Sequence, residues 1–385
     1  MKISDYVESQ IKGLWGTDFD ENGIPVIKTN NLTYEGHIDY SDICKRNITR
    51  EHAKECYLKP GDLLIEKSGG TKTHSVGYVS YFEGDENKFV CNNFILALRL
   101  KNTINSKFLF YQIQFKYESN QFSACFNKTT GIQNLKVKDY LAKEIKIYSP
   151  EEQEKIVKEL DTVRSTINKN KQILEKYDTL IKSRFIEMFG DILAGKYKFE
   201  TRKLGEISEV GSSHRVFTTE FVEHGIPFYR GTEIGELANG KIPQKTYYIS
   251  EEHYQRLIAQ DSKPQIGDLL MPSICNKGQV WMVDTEEPFY YKDGRVLSIS
   301  PNREIYNSKY LQYFMREKTL VEYPKLGSGS TFAEFKIFLL KDIDILTPPL
   351  SLQNDFASFV QQIDKSKFEI WLTLQNYGII EKRVF

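Results

Sequence analysis

The sequence predicts a mixed α/β protein of the α+β class, with two globular domains and two long helices that pair as an antiparallel coiled coil. Two observations support this prediction. Short stretches of the first half recur in the same order in the second half, which indicates a pseudo-two-fold internal repeat. Each half also ends in a polar segment with apolar residues at heptad spacing. We expect globular domains at 1–149 and 199–347, a helix and linker at 150–198, and a second helix at 348–385.

The repeat rests on four colinear matches, which chance does not readily produce. They pair GIPVIKTNNL at 23–32 with GIPFYRGTEI at 225–234, KPGDLLIEKS at 59–68 with QIGDLLMPSI at 265–274, NSKFLFYQI at 105–113 with NSKYLQYFM at 307–315, and AKEIKIYSP at 142–150 with LKDIDILTP at 340–348. One architectural plan is therefore expected to occur twice.

The globular segments combine strand and helix signals. Short apolar runs such as DLLIEK, FILALRL and VLSIS predict strands. The two NSK stretches each open on Asn-Ser and continue apolar at helical spacing, which predicts a capped helix. The GIP and GDLL stretches are interpreted as structural, because Gly and Pro set turns and Leu fills a core.

The polar segments predict long helices. Apolar residues alternate at steps of three and four through 151–189, and only Asn170 and Arg184 interrupt the seam. Residues 351–385 repeat the pattern, with Lys367 on the seam. One such helix is not stable alone in water, so the two are expected to bury their seams against each other. The alternative is two ordinary helices that pack only on their own domains.

Composition limits the class of protein. Lys and Arg total 52 and Asp and Glu total 52, so the chain lacks the basic charge of a free-standing DNA-binding protein. No apolar run is long enough to span a bilayer, and the five cysteines are scattered without a CxxC. These features predict a cytoplasmic protein with free thiols and no membrane partner.

Catalytic and cofactor motifs are missing from the sequence. The Pro-Pro pair of Thr347-Pro348-Pro349-Leu350 lacks the flanking residues of an adenine methyltransferase tetrapeptide. No GxxxxGK[ST] or HExxH is present, and no glycine-rich fingerprint follows a strand. We expect no cofactor, no metal and no catalysis in this chain.

Glycine-bearing loops carry side chains suited to double-stranded DNA. Base reading uses Arg or Lys on guanine and Asn or Gln on adenine, and further donors bind phosphates. Loops 67–74 and 275–279 follow the GDLL stretches, while 92–93 and 292–295 precede a strand. A solvated turn is the alternative for each. The candidates are Lys67, Thr71, Lys72, His74, Asn92, Asn93, Asn276, Lys277, Lys292 and Arg295.

Two further loops carry capping-box patterns, Thr130 with Gln133 and Thr331 with Glu334. Each pattern predicts the start of a helix. The free N–H groups there either bind a DNA phosphate or serve only to cap the helix. The candidates here are Lys128, Thr129, Thr130, Lys325, Ser328, Ser330 and Thr331. His214 and Arg215 lie on a basic loop before the second GIP. Arg230, in the strand that follows, is either a base reader or a salt-bridged strand residue.

The doubled plan resembles the specificity subunit of type I restriction–modification systems. The stretches that carry this resemblance are GIP at 23–25 and 225–227, GDLL at 61–64 and 267–270, and the corners SPEEQEKI at 149–156 and TPPLSLQNDF at 347–356. The resemblance implies that each globular half is a target recognition domain for half of a split DNA sequence, and that the coiled coil sets the half-site spacing. It implies as partners two methyltransferase subunits and the endonuclease/translocase subunits, which carry S-adenosylmethionine and ATP.

Two other functions stay open at this stage. The chain is then either a nuclease or methyltransferase with an unrecognised site, or an interaction scaffold that never touches DNA. The matching polar loops in both halves favour DNA recognition.

Overall fold

The computed structural model describes residues 1–70, 74–129, 132–260, 263–326 and 333–384, without the side chains of 19–20, 128–129 and 375–384. The chain divides into two compact units. The first unit comprises Met1–Lys171 with Trp371–Phe385, and the second comprises Gln172–Ile370.

Residues 1–189 form short strands and a few helices, followed by one long helix that begins in the first unit and ends in the second. The strands are β1 (Val7–Ile11), β2 (Phe19–Ile27), β3 (Cys44–Arg46), β4 (Leu63–Glu66), β5 (Ser68–Gly69), β6 (Val79–Tyr81), β7 (Val90–Cys91), β8 (Ile95–Leu100), β9 (Phe126–Thr129) and β10 (Ile132–Leu135). The helices are α1 (Arg50–Ala53), α2 (Ser106–Glu118), α3 (Val137–Leu141) and the long α4 (Pro150–Phe189), with 3₁₀ turns at Ile3–Tyr6, Thr29–Asn31 and Ser123–Cys125.

The remaining elements follow a similar order. The strands are β11 (Gly190–Asp191), β12 (Lys196–Tyr197), β13 (Thr201–Lys203), β14 (Ser208–Gly211), β15 (Ile226–Tyr229), β16 (Tyr247–Ile249), β17 (Leu269–Pro272), β18 (Trp281–Met282), β19 (Tyr290–Tyr291), β20 (Val296–Pro301) and β21 (Asp344–Leu346). The helices are α5 (Leu204–Ile207), α6 (Gly231–Leu237), α7 (Glu251–Ile258), α8 (Ser308–Glu322), α9 (Ile337–Lys341) and the long α10 (Leu350–Val384), with 3₁₀ turns at Thr218–Glu220 and Tyr323–Leu326.

The sheets confirm the internal repeat. A four-stranded sheet orders β1-β8-β4-β6 in the first half and β14-β20-β17-β18 in the second. A three-stranded sheet orders β3-β2-β7 in the first half and β16-β15-β19 in the second, and each contains one parallel pair, β2 with β7 and β15 with β19. Helices α2 and α8 contribute the buried residues Phe108, Leu109, Tyr310 and Leu311 to the cores beside these sheets.

The GDLL stretches have the structural role that the sequence predicts. Gly61 and Gly267 adopt φ values of +95° and +91°, which glycine tolerates best. The following Asp62 accepts a hydrogen bond from the Lys59 backbone N–H and pairs with Arg99 at 2.7 Å. Asp268 accepts equivalent bonds from the Gln265 backbone and from Arg303. The turn before β4 is thereby tied to strand β8, and the turn before β17 is tied to Arg303 just after β20 and to Ser300 within it.

The two long helices exist as predicted, and within the second unit they pack antiparallel. Ile181 and Phe185 of α4 share a core with Phe356 and Val360 of α10, while further along Lys367 pairs with Asp178. Residue numbers therefore rise on one helix as they fall on the other. Lys367 sits on the seam as predicted, and an acid on the other helix balances its charge.

The predicted seam is only partly confirmed at the end of α4, where Met188 on the seam is partly buried against the core and the fully buried residues lie one position away. The buried residues there are Phe185 and Phe189, one position after the predicted Arg184 and Met188. The reason is that this end of the helix also packs its aromatic rings against α8, with Phe185 stacked near Tyr310 and Tyr313. Arg184 turns outward and lies 6.0 Å from the ring of Phe359.

The helices predicted from the two capping boxes are also wrong. Gln133 lies in strand β10, which pairs with β9 and β5, and its side chain accepts a hydrogen bond from the Val76 backbone N–H. Glu334 forms ion pairs with Arg295 and Lys336, and the next helix begins only at Ile337. In both places the side chain that would cap a helix instead bonds to a residue distant in sequence, Val76 for Gln133 and Arg295 for Glu334. Thr130 and Thr331 lie outside the described residues.

Candidate nucleic-acid interface

Three predicted loops of the first unit converge beside the short strand β5. The Lys67 and Ser68 backbone N–H groups donate to the Phe94 carbonyl oxygen at 2.8 and 3.3 Å. Ser68 also donates from its hydroxyl to the Asn134 side chain at 2.6 Å. Stretch 67–70, the Asn-Asn loop and the β9–β10 hairpin therefore form one surface. We call it the first loop surface.

The two asparagines of this surface differ in exposure. Asn92 is buried, and its side-chain oxygen accepts a hydrogen bond from the Phe94 backbone N–H at 3.1 Å. Asn93 is exposed and remains available for a contact. Asn92 therefore shapes the loop that presents Asn93 and Phe94.

The remaining predicted residues of the first half are placed as follows. His74 is exposed and stacks on the ring of Tyr34 with the ring centroids 3.7 Å apart. Lys128 and Thr129 belong to strand β9, but their side chains are not described. Thr71, Lys72 and Thr130 lie outside the described residues.

Phe94 and Ile132 are exposed apolar residues that the sequence did not single out. Each side chain is 56% exposed although it borders the first loop surface. Apolar side chains contact the thymine methyl group in the major groove, so both belong among the candidates for base contact. In the sequence, each resembled an ordinary strand residue.

Four loops of the second unit also converge. The Ser212 hydroxyl donates to the Val296 carbonyl and accepts from the Gly294 backbone N–H, at 2.7 and 2.8 Å. The Ser273 backbone N–H donates to the Arg295 carbonyl oxygen, and the Phe335 backbone N–H donates to the Ser273 carbonyl oxygen. Residues 212–215, 273–279, 292–295 and 333–336 are thereby joined, and we call this the second loop surface.

Carboxylate side chains pair with the exposed arginine and lysine side chains of the second loop surface. Arg295, with 61% of its side chain exposed, lies 2.8 Å from Glu334, which also pairs with Lys336. The Lys336 ammonium and then Arg295 lower the pKa of Glu334. Arg215 pairs with Asp293 at 3.1 Å. These carboxylates hold the basic side chains in place and reduce their long-range attraction for DNA phosphates.

Other predicted residues of this half have local partners. The His214 backbone N–H donates to the Tyr290 hydroxyl oxygen at 3.0 Å, and Lys292 lies 3.7 Å from Asp293. Lys325 pairs with Glu322 at 3.0 Å. Asn276 and Lys277 are exposed on the turn after β17. Ser328, Ser330 and Thr331 are not among the described residues.

Arg230 precedes helix α6 instead of lying in the strand, and its guanidinium is engaged within the fold. It pairs with the buried Glu233 at 2.7 Å and covers the ring of Tyr247 at 4.4 Å. The hydrogen bond to Glu233 raises the pKa of Arg230. A base contact by Arg230 would have to compete with this ion pair.

The structure offers little that is typical of a catalytic or metal centre. Within the part of the chain that is described, no group of three or more His, Cys, Asp and Glu is arranged to hold a metal ion. Burial raises the pKa of the Cys91 thiol to about 12 and that of Cys275 to about 11, which keeps both protonated at neutral pH. A search of the described helices finds none with the length and apolarity of a membrane span.

Comparisons with known proteins agree with this doubled architecture. A specificity subunit of the type I restriction enzyme MjaIX from Methanocaldococcus jannaschii is 26% identical over 398 aligned residues, covering 98% of this chain and 86% of the relative. The crystal structure of a type I restriction–modification S subunit from M. genitalium matches with a TM-score of 0.57 at 16% identity, over 100% of this chain and 93% of that chain.

A second solved structure, from work on complex assembly and conformational transition of the type I system, has a TM-score of 0.56 at 18% identity and covers 100% of this chain and 95% of that one. These two structural matches establish a shared fold. The family model for the type I restriction modification DNA specificity domain matches residues 3–176 and again residues 196–376. The chain therefore belongs to the type I restriction modification DNA specificity family and carries its domain twice.

Proposed function

We propose that this chain is the noncatalytic specificity subunit of a type I restriction–modification complex, in which each half reads one half of a bipartite duplex DNA target. The observation that carries the proposal is the doubled family match, together with a loop surface on the same part of the fold in each half. The four-stranded and three-stranded sheets that the halves share have the same strand order, whereas the side chains of the two surfaces differ. The β5-β10-β9 sheet of the first surface has no counterpart among the described residues of the second half. Such a pair of scaffolds suits the reading of two different sequences.

The chemistry of the two loop surfaces supports unequal recognition. The first surface presents Asn93, Phe94 and Lys67 on loops joined by backbone hydrogen bonds, which suits hydrogen bonds to base edges and apolar contact with a thymine methyl. The second presents Arg215 and Arg295, each held by a carboxylate, and arginine binds guanine O6 and N7 well. Each half thus supplies a different set of base-reading groups.

Partner subunits complete the function in this proposal. Two methyltransferase subunits and the endonuclease/translocase subunits supply S-adenosylmethionine and ATP, and the complex works in the cytoplasm on cellular DNA. The zero net charge of the chain supports this division, because most nonspecific phosphate attraction then has to come from partners. Exposed apolar residues of the long helices offer a docking surface, namely Ile173, Leu180 and Phe368.

The test is methylome sequencing of a host that expresses this chain with its methyltransferase subunit. We expect one bipartite motif with a fixed gap. A second strain should carry a chimaera in which residues 199–347 come from another family member, and only one half of its motif should change. Methylation by the purified chain without a partner would favour the enzyme alternative. Methylation without sequence preference in the reconstituted complex would favour the scaffold.

A further inference from the structure

Each long helix begins at a buried glutamine that is bonded to the backbone of its own globular domain. In the first unit Gln153 is 3% exposed and lies in the first turn of α4. Its side-chain oxygen accepts from the Asn105 backbone N–H at 2.9 Å, and its amide nitrogen donates to the Tyr148 carbonyl at 2.9 Å. One side chain thus joins the long helix, the chain that leads into it and the start of α2.

The second unit contains the same arrangement of a buried glutamine bonded to the domain backbone, which we call the joint. Gln353 is fully buried in the first turn of α10. Its oxygen accepts from the Asn307 backbone N–H at 2.9 Å, and its amide nitrogen donates to the carbonyls of Pro348 and Ile305 at 2.9 and 3.0 Å. Asn307 caps α8 as Asn105 caps α2. The joint therefore recurs atom for atom at its centre, although the sequences SPEEQ and TPPLSLQ around it differ.

Glutamine suits this position because its planar amide carries an acceptor and a donor on one side chain. Glutamate cannot donate to the carbonyl of Tyr148. Methionine fills a similar volume but makes neither of these hydrogen bonds to the backbone of Asn105 and Tyr148. Helix formation does not demand this residue, since several others have equal or better helix propensity. The requirement comes from the joint.

A second attachment lies further along each helix. In the first unit, Asp161 of α4 pairs with Lys107 at 3.1 Å and accepts a hydrogen bond from the Tyr111 hydroxyl. In the second unit, Asp364 pairs with Lys309 at 2.9 Å. Asp161 stands eight residues beyond Gln153 in the sequence, so the two attachments are about 12 Å apart along the helix axis. Two separated attachments fix the direction of the helix relative to its domain.

The ion pairs alone are weak restraints. The side chains of Lys107 and Asp161 are 28% and 39% exposed, and those of Lys309 and Asp364 are 30% and 44% exposed. Solvent screens such pairs. The buried glutamine bonds are therefore the firmer of the two attachments in each half.

We propose that Gln153 and Gln353 are positioning residues that fix the direction in which each long helix leaves its recognition domain, and so determine how strictly the complex rejects DNA with a wrong gap between half-sites. This inference rests on the proposed function. It assigns gap discrimination to two residues that contact no base.

The test uses the full chain reconstituted with its methyltransferase subunit. Methylation rates are measured on duplexes that carry the correct half-sites with the natural gap, one base pair fewer, or one more. For Gln153→Met we expect discrimination against the wrong gaps to fall about tenfold, the equivalent of roughly one lost hydrogen bond. Rejection of a mismatched base within either half-site should stay unchanged. Gln353→Met should act in the same way.

Matched variants separate positioning from general damage. Gln172→Met alters an exposed glutamine of α4 and should leave gap discrimination unchanged. Gln153→Glu keeps the acceptor for Asn105 and loses the donor, so an intermediate effect is expected. It also serves as the milder variant if Gln153→Met yields no folded complex. Thermal unfolding of each complex shows whether it is folded.

The outcomes are distinct. If folded Gln153→Met and Gln353→Met complexes keep full gap discrimination while methylating every substrate more slowly, the glutamines only stabilise the fold and the inference is overturned. If the wild-type complex itself recognises no bipartite target, the proposed function fails, and this inference fails with it. Relaxed gap discrimination with intact half-site discrimination supports both.

Discussion

At the scale of single residues, two buried aspartates hold equivalent turns in the two halves of the fold. Asp62 and Asp268 each close the turn before a central strand. Asp62 pairs with Arg99 on the neighbouring strand β8, and Asp268 pairs with Arg303, which lies just after strand β20. Burial raises the pKa of Asp62, opposed by its hydrogen bonds to Arg99 and to the Lys59 backbone. The GDLL stretch could be identified as structural from its glycine and leucines. The arginine partner could not, because it lies on a strand far away in sequence.

This difference in environment predicts unequal effects of two equivalent substitutions. Arg99→Met should lower the free energy of unfolding by about 3 kcal/mol, because it leaves a buried carboxylate without its partner. Arg303→Met should cost about 1 kcal/mol, since the Arg303 side chain is 48% exposed and Ser300 also donates to Asp268. Urea unfolding of the two variants measures the difference. Equal effects would contradict this account.

Phe94 gives a second prediction at this scale. Because its side chain is 56% exposed, Phe94→Ser should change the free energy of unfolding by less than about 0.5 kcal/mol. Loss of an apolar base contact should still weaken binding of the reconstituted complex to its own target about fivefold, or roughly 1 kcal/mol. Binding to unrelated duplex DNA should stay the same, as measured by fluorescence anisotropy.

The control for Phe94 is Leu193→Ser, which alters a similarly exposed apolar residue in the β11–β12 turn. It should affect neither stability nor target binding. An equal loss of affinity in both variants would show that Phe94 acts only through surface hydrophobicity.

At the scale of elements, patterns of long range were more informative than short motifs. The heptads predict α4 and α10 because they extend over many turns. The Asn-Ser starts predict α2 and α8 because the capping asparagine is followed directly by a long apolar run at helical spacing. The capping boxes failed because four residues carry too little information. Pairing of β10 with β5 and the ion pairs of Glu334 are contacts that a local pattern does not contain.

The antiparallel packing of the long helices leads to a prediction about the gap between the two half-sites of the DNA target. Removing residues 174–180 from α4 and 365–371 from α10 deletes two turns from each helix, including both Asp178 and Lys367, and keeps the Asp364 attachment. Seven residues shorten a helix by about 10 Å, close to three base pairs of DNA. Methylome sequencing should show a gap shorter by about three base pairs between unchanged half-sites.

Removal of 174–180 alone is the control for this prediction. It shifts one seam against the other, separates Lys367 from its partner and should abolish assembly of an active complex. If the paired deletion gave an active complex with an unchanged gap, the helices would not determine the spacing.

At the scale of the whole molecule, the halves share their plan and differ in their surfaces. The first loop surface combines asparagine with exposed apolar groups, whereas the second holds arginines against carboxylates. The equal numbers of basic and acidic side chains already indicated that charge alone does not drive DNA binding. Which loops converge was not predictable, because the hydrogen bonds of Ser212 and Ser273 join segments that are distant in sequence.

The glutamine joints also bear on how such proteins diversify. Each glutamine bonds to backbone atoms alone, and a backbone is the same whatever side chains it carries. A domain with altered base-reading loops can therefore form the same hydrogen bonds with the glutamine of the long helix. Genetic exchange with crossovers near Pro150 or Pro348 would bring in a new domain already compatible with its helix. New combinations of half-sites can then arise by recombination in a single event.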